Sequence, residues 1–103
     1  MRDLQLWLDK VIPILEANGG KFDLGDLFWA SKLAEETGEY CGLVNKSHYE
    51  GKTIPEHRVA EELGDILICT LVICRKYGFD VEKLVKDKMK ESAFRKENVS
   101  LDI

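Results

Sequence analysis

Lys32-Leu33-Ala34-Glu35-Glu36-Thr37-Gly38-Glu39 and Val59-Ala60-Glu61-Glu62-Leu63-Gly64-Asp65-Ile66-Leu67 decide the fold of this chain. The second stretch repeats the acidic core of the first at a fixed offset, since 62 − 36 = 26 and 65 − 39 = 26. Each lies in a pattern of apolar residues spaced as on a helix. A helix turns by about 100° per residue, so positions i and i+3 share a face. Glu36 therefore stands beside Glu39, and Glu62 beside Asp65. Like charges so close repel, more strongly as water is removed. Two such clusters facing each other call for a cation, and hard divalent ions are the natural partner of carboxylate oxygens. Gly38 and Gly64 precede the last carboxylate of each cluster, where a mid-helix glycine costs about 1 kcal/mol relative to alanine. Close helix approach or room for a bulky ligand would explain both.

Outward from these clusters, the apolar spacing predicts four helices and no strands. The first runs from about Asp3 to Ala17, with Pro13 expected to kink it or reset its start, and ends at Asn18-Gly19-Gly20. The second carries the first cluster, with Asp23 or Asp26 as its cap. Asn45 to Lys52 is polar and reads as a loop, and Thr53-Ile54-Pro55-Glu56 reads as a capping box. The third helix carries the second cluster and runs to about Tyr77, where Gly78 stops it. The fourth, capped by Asp80, spans Val81 to about Lys96. The tail from Asn98 to Ile103 is expected to be loose or packed on a partner.

The chain has 103 residues, 45% hydrophobic and 33% charged, which predicts one soluble domain over 1–103. A net charge of −4 argues against a nucleic-acid partner held by counterion release. Ile66 to Cys74 is apolar all round, too short for a bilayer, and expected to be buried on most sides. Cys41, Cys69 and Cys74 lack metal-ligand spacing and read as buried free thiols, which with the absence of a leader predicts a cytoplasmic location. His48 and His57 are expected to be exposed. Trp7, Trp29 and Tyr49 could stack on a base, with core or interface packing the better expectation for the tryptophans.

Glu35-Glu36-x-x-Glu39, followed after a gap by Glu62-x-x-Asp65, resembles the EExxE…ExxD signature of the MazG-like, all-α nucleoside triphosphate pyrophosphohydrolases. The flanking residues match too, from the second helix through the fourth. The resemblance implies a four-helix bundle completed by dimerisation, as a homodimer or dimer of dimers. It implies Mg²⁺-dependent cleavage of a nucleoside triphosphate between its α- and β-phosphates, giving a monophosphate and pyrophosphate, with Mn²⁺ as a substitute. Clearance of non-standard nucleotides is the associated role. Carried over, Glu36, Glu39, Glu62 and Asp65 are the metal ligands, and Glu35 and Glu61 are candidates for the water-activating base. Lys32, four residues before Glu36, is a candidate substrate-binding cation, as are Lys88 and Arg95 on the fourth helix and Lys46; taken alone, Lys32 reads as an ion pair with Glu36, and Lys88 and Arg95 as solvated surface. Ser92 stands where the family often has an asparagine.

A phosphoanhydride needs its charge neutralised and a water activated in line with the leaving group, and that chemistry suits the same residues. The alternatives are a narrower dUTP/dCTP-type or phosphoribosyl-ATP pyrophosphohydrolase on this scaffold, or a non-catalytic helical dimerisation or regulatory module. No membrane contact is expected.

Overall fold

A computed structural model describes residues 2–102, leaving Met1 and Ile103, the two ends of the expected domain and tail, outside it. The described residues form four helices and no strand: α1 (Arg2–Ala17), α2 (Asp26–Glu50), α3 (Glu56–Tyr77) and α4 (Val81–Glu97). The all-α expectation holds.

The centre of the molecule is an antiparallel pairing of α2 and α3, the only extended helix–helix contact among the described residues. Trp29, Leu33, Glu36, Tyr40 and Leu43 recur at three and four residues and lie on one face of α2. Trp29 packs with Cys69 and Val72 of α3, beneath Phe22, Leu24, Leu33 and Ile73. Its ring stacks on Phe22 at 6.2 Å and meets Phe28 edge-on at 5.2 Å. At the end of the pair the Asp26 carboxylate meets the Lys76 ammonium at 2.8 Å and accepts a hydrogen bond from the Tyr77 hydroxyl at 2.6 Å. These two partners hold the Asp26 carboxyl below the ordinary aspartate range, the Lys76 contact contributing most.

Neither Asp23 nor Asp26 caps α2. Gly25 occupies the cap position and has no side chain to bond, while the Asp26 carboxylate, one residue inside the helix, binds α3. The expected loop at Asn45 to Lys52 is corrected as well. α2 continues to Glu50 and stops at Gly51, in the left-handed region at φ 65°. No glycine or proline interrupts residues 45–50, so their polarity marks a solvated helix end. Pro55 precedes α3 as its cap, again with no side-chain bond, so the Thr53–Glu56 capping box does not form. Gly78, at φ 71°, ends α3, and Asp80 caps α4 by accepting from the Lys83 N–H at 3.2 Å, both as expected.

α1 passes through Pro13 without a break. The carbonyl that Pro13 cannot serve belongs to Asp9, and both residues are exposed to water. Gln5 ties α1 to the α3–α4 turn, donating to the Phe79 carbonyl at 2.9 Å and accepting from the Val81 N–H at 3.2 Å. Leu8 of α1 packs on Leu71, Cys74 and Val81. The tail after α4 folds back through Asn98, with the Val99 N–H reaching the Ala93 carbonyl, and Leu101 borders a cleft beside Val85 and Met89. The described part of the tail thus lies on its own helix.

Three expectations about burial are revised. Cys41 is exposed, because it lies on the side of α2 turned away from α3. In the run Ile66 to Cys74, only Cys69, Leu71, Val72 and Cys74 are buried, and Leu67 and Ile68 stand half open. Of the two tryptophans, Trp29 is core and Trp7 is exposed. His48 and His57 are exposed, as expected.

Candidate functional site

Two turns along the α2–α3 seam from Trp29, the apolar contact gives way to acid. The opposing residues step in reverse order, Trp29 against Val72, then Glu36 against Asp65, then Glu39 against Glu62. This register brings both clusters together. Carboxylate oxygens of Glu36, Glu62 and Asp65 lie within 4.8 Å of one another, as do those of Glu35, Glu36 and Glu39. Glu36 belongs to both groups and joins them into one cage.

Two members are buried to an extent unusual for carboxylates. Glu36 and Glu62 each retain 6% of their exposure, and in each the Oε2 oxygen has no hydrogen-bond partner. An unsatisfied buried charge is costly unless a cation or proton meets it. Burial pushes the Glu36 carboxyl above the ordinary glutamate range, partly offset by Lys32, with Glu39 and Asp65 adding to the rise. The Glu39 carboxyl is raised chiefly by its contact with Glu62. The donor set is all carboxylate oxygen, which suits a hard divalent ion such as Mg²⁺ or Mn²⁺.

The cations arrive from the preceding turn of each helix. Lys32 Nζ lies 3.4 Å from Glu36 Oε1 and 3.6 Å from Glu35 Oε1. On α3, Arg58 stands 3.8 Å from Glu62 Oε1 and 3.7 Å from Glu61 Oε2. Arg58 is absent from the residues the sequence nominated. Its signal was available, because 58 − 32 = 26, the offset of the acidic repeat. Six carboxylates thus face two local cations, a surplus of negative charge. Cys69 sits at the apolar end of the cage, where burial, then the Glu36 charge, push its thiol up and keep it protonated.

The other nominated residues lie elsewhere. Glu61 is on the rung of α3 but joins neither carboxylate group. Lys88 and Arg95 lie on α4, where both pair with Glu91 of the same helix, and no ion pair among the described residues links them to the cage. Ser92 is half-buried on that helix. Lys46 is exposed four residues after Gly42 on α2. Gly38 and Gly64 bring no helix close within the chain, because a side chain at either would meet nothing within 4 Å. Of the two explanations for them, room beside the carboxylates is the one this geometry fits.

Residues 27–100 match the family described as the MazG nucleotide pyrophosphohydrolase domain, a span that takes in α3, α4 and all of α2 but Asp26. No curated protein and no solved structure gave a significant match.

Proposed function

Because the chain belongs to the MazG nucleotide pyrophosphohydrolase family, a relationship that supports nucleotide pyrophosphohydrolase activity in general, we propose that it hydrolyses nucleoside triphosphates to a monophosphate and pyrophosphate. The observation that carries the reading is a buried carboxylate oxygen without a hydrogen-bond partner on each of Glu36 and Glu62, two residues whose carboxylates come together with Asp65 at the α2–α3 seam. Glu36, Glu39, Glu62 and Asp65 would hold one or two Mg²⁺ ions. The metal supplies charge neutralisation on the phosphate oxygens and a template for in-line displacement.

The side chains divide the remaining work. Glu35 lies in the same carboxylate group as Glu36 and Glu39 yet is exposed, so it can meet water at the cage mouth. It takes the proton of the attacking water as the new P–O bond forms. The bond to the bridging oxygen breaks, and the electron pair leaves with pyrophosphate. Lys32 and Arg58 stand at the cage edge to bind the negative oxygens of the triphosphate. Glu61 holds Arg58 in place rather than acting as the base.

The single chain is thinly packed. Its radius of gyration is 16.9 Å, against about 13 Å for a compact domain of this length. Large apolar residues such as Leu27, Leu67 and Ile68 lie open on the central helices. A second copy of the chain would cover them, so the active form is a homodimer or a dimer of dimers. Such an assembly is also what would bring Lys88 and Arg95 to a cage. No described helix is long and apolar enough to cross a membrane. Three unpaired cysteines fit a reducing compartment such as the cytoplasm.

The test is pyrophosphate release across canonical and modified nucleoside triphosphates, with Mg²⁺ and with EDTA. Metal-dependent release is expected, and the fastest substrate separates a broad enzyme from a dUTP/dCTP-type or phosphoribosyl-ATP hydrolase. No release from any nucleotide, with no rise in melting temperature on adding Mg²⁺, would replace this reading with a non-catalytic module.

A further inference from the structure

The acidic cage lies part-way along a helix pair that its own charge pushes apart, so the alignment of α2 on α3 has to be held elsewhere. The apolar contact beside it does not mark one alignment alone. Trp29 meets Cys69 and Val72, but α3 offers an apolar side chain at every position from Ile66 to Cys74 except Thr70. Apolar burial is not directional, so Trp29 moved one turn along this run would find a similar bed. Such a slip is about 5.4 Å. It exceeds the 4.8 Å within which oxygens of Glu36, Glu62 and Asp65 lie, and would take that group apart.

A directional link stands at the end of the pair. The Asp26 carboxylate, on the first residue of α2, meets the Lys76 ammonium at 2.8 Å and accepts from the Tyr77 hydroxyl at 2.6 Å. Among the described residues this is the only ion pair between α2 and α3, since Lys32 and Arg58 pair within their own helices. Lys76 also donates to the Leu24 carbonyl at 3.4 Å, just before α2 begins. The Tyr77 ring is itself stacked on Phe79, with 5.4 Å between centroids. Clamp and cage are rungs of one ladder. Glu36 lies about 15 Å along α2 from Asp26, and Asp65 about 16.5 Å back along α3 from Lys76. Antiparallel arms of nearly equal length bring Glu36 and Asp65 level.

We propose that Asp26, Lys76 and Tyr77 are positioning residues, whose clamp sets the register of α2 against α3 and so holds the cage carboxylates at metal-binding separation. The inference rests on the function proposed above and goes beyond it by giving a task to three residues outside the cage. A slipped pair does not bind the ion, so apparent affinity falls with the fraction of chains held in register. The three side chains are exposed, and exposed ion pairs are worth little. The expected change in affinity is therefore modest, and its test needs a second variant that loses stability away from the clamp.

The experiment uses the full chain. It measures Mn²⁺ dissociation constants by electron paramagnetic resonance well below the melting transition, melting temperatures without metal, and pyrophosphate release against Mg²⁺ concentration. Asp26→Ala is expected to weaken Mn²⁺ binding about fivefold, the upper end for an exposed pair. The Mg²⁺ needed for half-maximal release rises by the same factor, and turnover returns at saturating Mg²⁺. Tyr77→Phe acts in the same direction and less strongly. Added to Asp26→Ala it changes nothing further, because both act through one carboxylate. Leu8→Ala removes a contact of α1 with Leu71 and Cys74 of α3, so it lowers the melting temperature at least as much and leaves Mn²⁺ affinity unchanged. Unchanged Mn²⁺ binding in Asp26→Ala would overturn the assignment. So would equal weakening in Leu8→Ala, which would mean that affinity merely follows stability. A wild-type chain that binds no Mn²⁺ would remove the cage and the clamp's role together. Weakening in Asp26→Ala alone upholds the clamp even in a chain that hydrolyses no nucleotide, so the clamp and the proposed activity are judged separately.

Discussion

Glu36 and Glu62 are alike in burial, in the basic residue one turn before each and in carrying one unpartnered oxygen, although Glu36 alone belongs to both carboxylate groups. Their neighbours Glu35 and Glu61 are equivalent in sequence and different in place. Glu35 shares a carboxylate group with Glu36 and Glu39, whereas Glu61, among the described residues, pairs with Arg58 alone. The closing residues differ as well, a longer glutamate on α2 and a shorter aspartate on α3. A repeated motif therefore builds a site that is nearly symmetric where charge is held and asymmetric where a proton would move.

The largest effect should come from the closing residues. Glu39→Gln and Asp65→Asn are each expected to lower kcat about a thousandfold or more, the scale of losing a metal's charge stabilisation. The metal-free fold should remain intact or gain stability, as thermal melts would show. Near wild-type turnover in either variant breaks the cage on that side. Next is the asymmetry itself. Glu35→Gln should cost roughly a hundredfold in kcat, as for loss of a general base. Glu61→Gln should cost less than about threefold, the scale of a surface ion pair. The reverse order would move the base to α3.

Lys32→Ala and Arg58→Ala sharpen the symmetric half of the comparison. Each should raise KM roughly tenfold, in keeping with loss of a charged hydrogen bond. A change in only one would mean that the triphosphate leans on one helix.

The smallest effect is in stability against pH. The folded carboxyls of Glu36 and Glu39 titrate above their unfolded range, so the folded state holds more protons there. Its stability relative to the unfolded chain then falls as pH rises through the ordinary glutamate range and up to the raised folded values. Melting temperatures of the metal-free protein should decline over that window, saturating Mg²⁺ should reduce the decline, and Glu39→Gln should flatten it. A metal-free melting temperature that climbs across the window contradicts the crowding of the two rungs.

The helices were legible because apolar residues at three- and four-residue spacing record burial directly, and Gly78 announces the end of α3. Pairing of the rungs was legible because a charge repeated at a fixed offset on two helices has few stable arrangements. The caps were not, because Asp26 can cap its own helix or bind α3, and only the packed structure decides for Lys76. Asn45 to Glu50 deceived because polarity alone does not separate a loop from a helix exposed all round. Cys41 was misplaced because composition says nothing of which side of α2 meets α3. Arg58 was marked only by its offset from Lys32, because an arginine one turn before a glutamate reads equally as a surface ion pair.

The dry oxygens of Glu36 and Glu62 act as a preloaded spring. A positive charge settling in the cage would relieve the repulsion that Glu39 and Asp65 impose on Glu36, so part of its affinity would be set aside before any ligand arrived. The grip on such an ion and the heat the chain withstands would then be two gauges on one quantity, and substitutions that relax the spring should shift both together.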